Sequence, residues 1–272
     1  MNFLMRLDRR WLYVIVFIVI LWPLIVPMGI PFRVSPGTMD AFKVIDSVKP
    51  GETVLMSIDY SVGGSPDIDP QAQAVFRYLM KKNVKVVLVA FVDQGVQFAE
   101  KMISQQETLG KKYGEDFVNL GFVAGVEVAI SAFAENIPKV FPKDNRGNSI
   151  DSLPIMKGIT SVKDFKLVTE FATGIPGPAE WIRQVGTKYK VPIVSGVVTV
   201  MYPQSLPYVQ SKQLAGLMGG LRGAAEFEKA SKTPGLATAA MDAQSMGHLA
   251  IVLFIVLGNI AYQMEKRRPV QK

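Results

Sequence analysis

The sequence has no cysteine and a single histidine, His248, among its 272 residues. The missing cysteine excludes a disulfide framework, a cysteine nucleophile and zinc sites built on thiolates. A Ser-His-Asp triad in the central part of the chain would need His248 to reach back from an apolar C-terminal segment. The G-x-G-x-x-G fingerprint, the Walker A loop and the G-x-S-x-G elbow are also absent. These absences predict that the protein is not an enzyme.

Charged residues are scarce, at 19% of the chain, whereas ordinary soluble domains have about 25%. The net charge is +7, but residues 1–32 contribute +2 and residues 265–272 contribute +3. The long middle of the chain is therefore nearly balanced and lacks the basic face that binds nucleic acid. We expect no nucleic-acid partner.

Two long runs without charge set the expected topology. Residues 11–32 and 243–264 are each long enough to cross about 30 Å of hydrocarbon as a helix. Both are predicted to be transmembrane helices, so the lipid bilayer is an expected partner. The alternatives are a cleaved signal peptide for the first run and a buried core helix for the second. The first run lacks the small-residue cleavage site that ends a signal peptide.

Basic residues flank both runs on their outer sides. Arginines lie in the N-terminal tail, residues 1–10, and lysines and arginines lie in the C-terminal tail, residues 265–272. The positive-inside rule places such flanks in the cytoplasm. We therefore predict a cell-membrane protein with both termini cytoplasmic and the central region outside the cytoplasm.

Within that central region, residues 33–210 alternate between apolar strand patterns and helical patterns. The predicted strands are residues 53–58, 84–92, 117–123, 166–171 and 191–200. Strands that alternate with helices form right-handed crossovers and a mostly parallel sheet, and strands apolar on both sides belong in a sheet covered on both faces. The predicted fold class is α/β, a Rossmann-like doubly wound sheet of about five strands flanked by two transmembrane helices.

Two local predictions accompany this fold. Asp69 and Pro70 are predicted to open the helix after the first strand, as its N-cap and its first residue. Residues 141–164 are rich in proline, aspartate, asparagine and glycine and are predicted to form a long irregular connection. Such a length indicates either a functional, partner-facing loop or an element that the pattern does not reveal.

Ligands of parallel α/β sheets bind beyond the carboxyl ends of the strands. The ligand-binding candidates are therefore the polar residues and glycines near those ends: Asp59, Ser61, Gly63, Gly64, Ser65, Asp93, Glu127, Glu170, Gly174 and Ser195. The run at residues 63–65 could cradle an anion with backbone N–H groups. Alternatively, these short residues shape the loop and cap the next helix. Carboxylate chemistry among the acidic candidates stays open, because spacing does not show that any two of them meet.

The spacing of Asp59 and Ser61 resembles the Asp-x-Ser-x-Ser metal-binding motif of von Willebrand A domains. Gly63 stands where that motif has its second serine, so the pattern is incomplete. Asp59, Ser61 and Ser65 form a weak candidate site for Mg²⁺ or Ca²⁺, to which Asp67 and Asp69 could add oxygen ligands. No other cofactor is predicted.

Residues 211–242 form a glycine-rich, amphipathic or membrane-proximal region. Residues 211–230 are predicted to be helical, with leucines on one face and a stripe of small residues on another: Gly216, Gly219, Gly220 and Gly223. Small residues at this spacing let another helix approach closely, so the stripe is a candidate assembly surface. The alternatives are a close contact within the chain and a flexible glycine loop.

These patterns predict a membrane-anchored structural or accessory subunit of a membrane complex, with an extracytoplasmic α/β docking domain. The expected partners are further copies of the chain, as a homo-oligomer, or other membrane subunits. The alternative is a membrane-tethered sensor domain that binds a solute or a cation near the strand ends.

Overall fold

The computed structural model describes residues 9–26 and 28–266, and the chain divides into two compact units. One unit holds both terminal apolar segments, residues 1–31 and 238–272, and the other is the α/β domain, Phe32–Ala237. Of the predicted basic tails, Arg6, Arg267, Arg268 and Lys272 lie outside the described residues, as does Pro27.

The terminal unit contains helix α1 (Arg9–Ile25) and most of helix α11 (Leu236–Lys266). Among the described residues, only Leu236–Gln263 forms a helix long and apolar enough to cross a membrane, by length and composition. Helix α1 is apolar, but its 17 residues extend over only about 25 Å. The prediction of two transmembrane helices is therefore not confirmed.

A turn after α1 explains why the first apolar run is not a helix throughout. The backbone N–H groups of Met28, Gly29 and Ile30 donate to the carboxylate of Asp242 at 2.9, 2.8 and 3.0 Å. Gly29 adopts a left-handed conformation with φ of 63°, which glycine allows at little cost. Asp242 is 1% exposed and lies inside α11, which begins seven residues before the predicted start at Ala243.

The α/β domain is built on a parallel sheet of six strands in the order β3-β2-β1-β4-β5-β6. The strands are β1 (Thr53–Asp59), β2 (Lys85–Ala90), β3 (Phe117–Phe122), β4 (Leu167–Ala172), β5 (Ile193–Val197) and β6 (Gly216–Gly219). This is the strand order of a doubly wound Rossmann-like sheet. The predicted α/β class is confirmed, and the predicted number of about five strands is corrected to six.

Helices cover both faces of the sheet. They are α2 (Pro36–Ser47), α3 (Ser65–Lys81), α4 (Gly95–Glu107), α5 (Val126–Glu135), α6 (Ile137–Val140), α7 (Pro178–Trp181), α8 (Thr187–Tyr189), α9 (Tyr202–Gln210) and α10 (Gly220–Ala230). A π-helical turn, Ile182–Gly186, joins α7 to α8. Helices α2, α3, α4 and α10 enclose one core with Phe76 and Phe227, and α5, α6, α7 and α9 enclose the other with Phe133 and Trp181.

Helix α3 begins at Ser65 rather than at Asp69. Pro66 occupies its first turn, where a missing N–H costs nothing, and Pro70 is accommodated inside the helix. Asp69 is not an N-cap, because its carboxylate accepts a hydrogen bond from the Tyr60 hydroxyl at 2.8 Å inside the domain. The prediction of a start at Asp69 is therefore wrong.

The predicted helix over residues 211–230 is wrong in its first half, where β6 forms the sheet edge, and right in its second half, where α10 begins. Helix α9 precedes β6 and was not predicted.

The segment 141–164 forms short 3₁₀ turns, and several of its apolar side chains are buried in the second core: Phe141, Ile150, Ile155, Met156 and Val162. This segment is therefore largely a structural element that the pattern did not reveal.

Candidate functional site

The chain reverses its winding direction between the neighbouring strands β1 and β4. The helices that follow these strands cover opposite faces, which opens a crevice beyond the strands' carboxyl ends. The loops 60–64 and 173–177 line this crevice and are joined directly. Ser61 N donates to Thr173 Oγ1 at 3.3 Å, and Thr173 N donates to Asp59 O at 3.3 Å.

The predicted anion cradle, residues 63–65, lies in the first of these loops. Close packing between the loops requires glycine here, since a methyl group on Gly64 would lie 2.4 Å from Thr173 Cγ2. The neighbouring donor Val62 N is used by Gln94 Oε1 at 2.7 Å. These contacts favour the alternative in which the short residues shape the loop.

Asp59, the last residue of β1, is 1% exposed. Its Oδ1 accepts from Phe91 N at 2.7 Å, and its Oδ2 accepts from Ser57 Oγ at 2.6 Å and from Trp181 Nε1 at 3.2 Å. Burial raises the pKa of Asp59 to about 6, although these three donors lower it. The carboxylate therefore joins strands β1 and β2 to α7 inside the domain and does not face a ligand in solvent.

Glu170 lies on β4, in register with Ser57 of β1 and Ser195 of β5. Its Oε1 accepts from Ser195 Oγ, whereas its buried Oε2 has no hydrogen-bond partner. Burial raises the pKa of Glu170 well above its ordinary value; the Ser195 hydroxyl opposes this shift, and the charges of Asp59 and Glu180 add to it. The structure thus brings the candidates Asp59, Glu170 and Ser195 together as a buried polar layer, which favours a neutral Glu170.

The other two acidic candidates lie near the surface with local partners. Asp93 Oδ1 accepts from the adjacent amide Gln94 N at 2.8 Å. Glu127 forms two hydrogen bonds with the Arg183 guanidinium, at 2.8 and 2.9 Å, which lower the pKa of Glu127 to about 2. Gly174, another ligand-binding candidate, lies in an open turn, and no atom lies within 4 Å of the position that a Cβ would occupy there. Neither acid approaches the buried polar layer through any of these contacts.

Apart from Ser61, the candidate metal ligands have other partners. Ser65 Oγ donates to Val62 O at 2.9 Å, and the Asp59 carboxylate is enclosed by its three donors. Asp69 accepts from the Tyr60 hydroxyl, and Asp67 accepts from backbone amides. Across residues 9–26 and 28–266, no group of three or more acidic or histidine side chains is placed to hold a metal ion.

The four candidate assembly glycines lie in two elements: Gly216 and Gly219 in β6, and Gly220 and Gly223 in α10. A methyl group on Gly216 would lie 2.3 Å from Ala41 Cα in α2, and one on Gly219 would lie 2.4 Å from the Tyr202 ring. Gly220 has φ of 57°, and a methyl group there would meet the Thr199 hydroxyl. Close packing inside the α/β domain therefore accounts for these glycines, and their role in assembly stays a prediction.

A surface feature that the sequence patterns did not reveal lies at the carboxyl edge of the sheet. Eight large apolar side chains of the α/β domain are exposed, and six of them lie at or just beyond the carboxyl ends of strands. We call these six the apolar rim: Val62, Phe122, Val126, Val128, Ile175 and Val200. Val200 is 83% exposed and Val128 is 78% exposed. The rim extends from the loop after β3 to the loop after β5, about 19 Å at the usual strand spacing.

The sequence contains a signal for this rim. Val62 and Ile175 stand in loops that are otherwise built from glycine, proline and hydroxyl residues, and Val200 stands between Thr199 and Met201 in the loop after β5. A β-branched apolar residue adds nothing to such a turn unless it packs against something, and here these side chains face solvent.

The charges around the rim are mainly negative. The loops and first helical turns at the carboxyl edge contain four acidic side chains and one basic side chain: Asp67, Asp93, Glu127, Glu180 and Arg222. Arg183 approaches from the π-helical turn but is paired with Glu127 and Glu180. The edge therefore offers little attraction to a phosphate-bearing ligand.

No protein-family model matches the chain, and no curated protein matches it at a significant level. The functional assignment therefore rests on the geometry of the α/β domain.

Proposed function

We propose that this protein is a membrane-tethered accessory subunit whose α/β domain docks a protein partner through the apolar rim. The supporting observation is the concentration of exposed aliphatic side chains along one edge of the sheet. Exposed apolar side chains grouped in this way mark interaction sites, whereas single ones scattered over a surface need no explanation.

Charge favours a protein over a lipid, nucleotide or nucleic acid as the occupant of the rim. Each of the latter presents phosphates, which would need unpaired cations beside the apolar contacts. The carboxyl edge instead has an excess of acidic side chains, including the exposed Asp93. The complementary partner surface presents aliphatic or aromatic side chains with lysine or arginine around them.

The loops that carry the rim are joined to one another, which supports docking without a large ordering cost. The loop after β1 is bonded to the loop after β4 through Ser61 and Thr173, and to the segment after β2 through Val62 and Gln94. Asp67 bonds the loop after β5 by accepting from Thr199 N at 2.6 Å. A surface held in this way loses little conformational entropy when a partner binds.

Membrane tethering is the second part of the proposal. In this proposal helix α11 crosses the membrane once, and the apolar run that contains helix α1 crosses it a second time. The basic residues beside them place both termini in the cytoplasm by the positive-inside rule, so that the α/β domain and its rim act outside the cytoplasm. A subunit held in this way searches for its partner in two dimensions, which raises the effective concentration of a modest docking surface.

The test is to place charges on the rim and follow the partner. The double variant Ile175→Asp/Val200→Asp changes two side chains that are 75% and 83% exposed. We expect it to fold normally and to lose the proteins that co-purify with the wild-type chain in mild detergent. The readouts are the mass of the extracted particle and the identity of its components.

Leu109→Asp is the matched control, because Leu109 is 77% exposed but follows α4 at the opposite edge of the sheet. We expect this control to keep the partner. Retention of the partner by the rim variant would refute docking through the rim, and so would a wild-type chain extracted as a monomer without companions.

A further inference from the structure

A cavity of about 490 Å³ opens beside the carboxyl ends of β5 and β6, within the α/β domain. Its lining includes Ser35, Thr199, Tyr202, Arg222, Gly223 and Glu226. It combines carbon surface, from the Tyr202 ring and the neighbouring proline and glycines, with one cationic side chain. This mixture is typical of sites for small organic molecules.

The position of Arg222 is set by a buried carboxylate. Glu226 is 1% exposed, and its Oε1 accepts from Arg222 Nε at 2.9 Å. The second oxygen, Oε2, accepts from Ser35 N at 3.0 Å and from the Ser35 hydroxyl. Both carboxylate oxygens of Glu226 thus accept hydrogen bonds, and Glu226 holds the Arg222 guanidinium at the cavity through the Nε–H group only.

Two side chains in the cavity keep N–H or O–H groups that no described residue accepts. Beyond the bond to Glu226, the Arg222 guanidinium makes no hydrogen bond within the part of the chain that the structure describes, and its side chain is 62% exposed. The Tyr202 hydroxyl likewise has no hydrogen-bond partner there, whereas the other two hydroxyl side chains bond to Glu226 and Asp67. A ligand in this cavity would contact the free N–H groups of the Arg222 guanidinium and the hydroxyl of Tyr202.

The N-terminus of α10 does not supply this site. Asp67 already accepts from Leu221 N at 2.9 Å and from Thr199 N at 2.6 Å, which neutralises the positive end of the helix. The positive charge of the cavity therefore resides on Arg222. The carboxylates of Asp67 and Glu226 lie nearby, so a doubly charged phosphate is repelled about twice as strongly as a singly charged carboxylate.

We propose that this cavity binds the carboxylate of a small, partly apolar organic acid. The planar carboxylate pairs with the free side of the Arg222 guanidinium, the Tyr202 hydroxyl donates to one of its oxygens, and the short carbon body lies against the Tyr202 ring. Because Glu226 also holds Ser35 at the start of α2, the bound acid is joined to the segment that leads toward the N-terminal apolar helix. This site lies beside the Val200 end of the apolar rim, but its proposed ligand contacts do not involve the rim side chains.

The experiment uses the full chain in detergent micelles, with propionate and butyrate as probes and with n-butanol and inorganic phosphate as matched controls. We expect the two carboxylates to raise the unfolding temperature in a concentration-dependent way, and the two controls to leave it unchanged. Isothermal titration should show that Arg222→Gln weakens butyrate binding about tenfold or more and that Tyr202→Phe weakens it by a smaller factor.

Arg183→Gln is the matched control, because Arg183 is an exposed, carboxylate-paired arginine away from the cavity. Arg222→Lys keeps the charge without the planar fork and should show intermediate affinity, and circular dichroism checks the fold of each variant. Equal affinity in Arg222→Gln and wild type, or no response to either carboxylate at millimolar concentration, would overturn the proposal. The rim variant Val128→Asp, at a side chain that is 78% exposed and lies at the end of the rim away from the cavity, should lose the docking partner and bind butyrate normally, which separates this result from that of the docking test.

Discussion

At the scale of single residues, the buried polar layer is the most unusual part of the domain. Asp59 is satisfied by three donors, but Glu170 has a buried oxygen without a partner. An ionised carboxylate in that position would lack the hydrogen bonds that offset its desolvation. The neutral acid is the less costly form, and the stability of the domain should therefore depend on pH.

The sign of that dependence follows from the raised pKa values. A carboxyl group whose pKa is higher in the folded state binds its proton more tightly there, so it contributes stability at low pH that is lost as the pH rises. For Asp59, whose pKa is about 6 in the folded protein, this loss is about 3 kcal/mol in total, and it is spread from about pH 3 to about pH 7. Glu170 continues the loss at higher pH.

We predict that Glu170→Gln is as stable as the wild type near pH 4 and more stable at pH 8. Glutamine is neutral at both pH values and similar in shape to the protonated acid, so only the cost of ionisation disappears. Chemical unfolding of both proteins across this pH range measures the difference. Parallel pH profiles would show that Glu170 ionises in the folded protein without penalty.

Sequence reasoning placed these acids near strand ends but could not show how they are used. The strand pattern predicts that Asp59 and Glu170 lie near the carboxyl edge of the sheet. It does not predict which face of the sheet each side chain occupies. That face depends on register, which aligns Ser57, Glu170 and Ser195 across three strands. The donor Trp181 comes from α7, and nothing in the local sequence connects it to Asp59.

At the scale of elements, β6 shows how a periodic pattern can mislead. Leucines and glycines recur at helical spacing over residues 211–230. Within this pattern, however, Gly216–Gly219 form strand β6 at the edge of the sheet. Gly216 is needed because α2 crosses β6 closely, and Gly219 is needed because the Tyr202 ring of α9 lies against it. A contact between α2 and β6, which are far apart in the chain, leaves no trace in local spacing.

We predict that Gly216→Ala destabilises the α/β domain by about 1–3 kcal/mol, the usual cost of overpacking. The added methyl group would lie 2.3 Å from Ala41 Cα, so α2 must move away from β6. Gly174→Ala is the control, because open space surrounds that position. Thermal unfolding of both variants gives the comparison, and equal stability would mean that α2 shifts without cost.

The turn after α1 leads to a second prediction at this scale. Asp242 accepts three backbone amides, and Asp242→Asn would replace one accepting oxygen by a donor. We expect a loss of about 1–3 kcal/mol in the stability of the terminal unit, measured by thermal unfolding in micelles. Ser245→Ala, on the same helix, removes only a bond to its own helix backbone and should change little.

At the scale of the molecule, the sequence was sufficient for the α/β class and for the covered, parallel sheet. Short valine-rich runs such as residues 84–92 are typical of strands buried on both faces, and the helices between them imply crossovers. The apolar rim and the Arg222 cavity could not be derived in this way. Both depend on which side chains remain exposed after the loops from different strands come together.

The contact between α2 and β6 has a consequence for how the chain is made. Helix α2 is the first element of the α/β domain to be synthesised, and its packing surface on β6 and α10 is among the last. The domain therefore cannot close its first core while it is being translated, and the apolar face of α2 stays uncovered until residue 230 has emerged. Helix α11 follows within a few residues of α10 in the chain. The domain therefore completes its folding at about the time when the apolar helix α11 is synthesised.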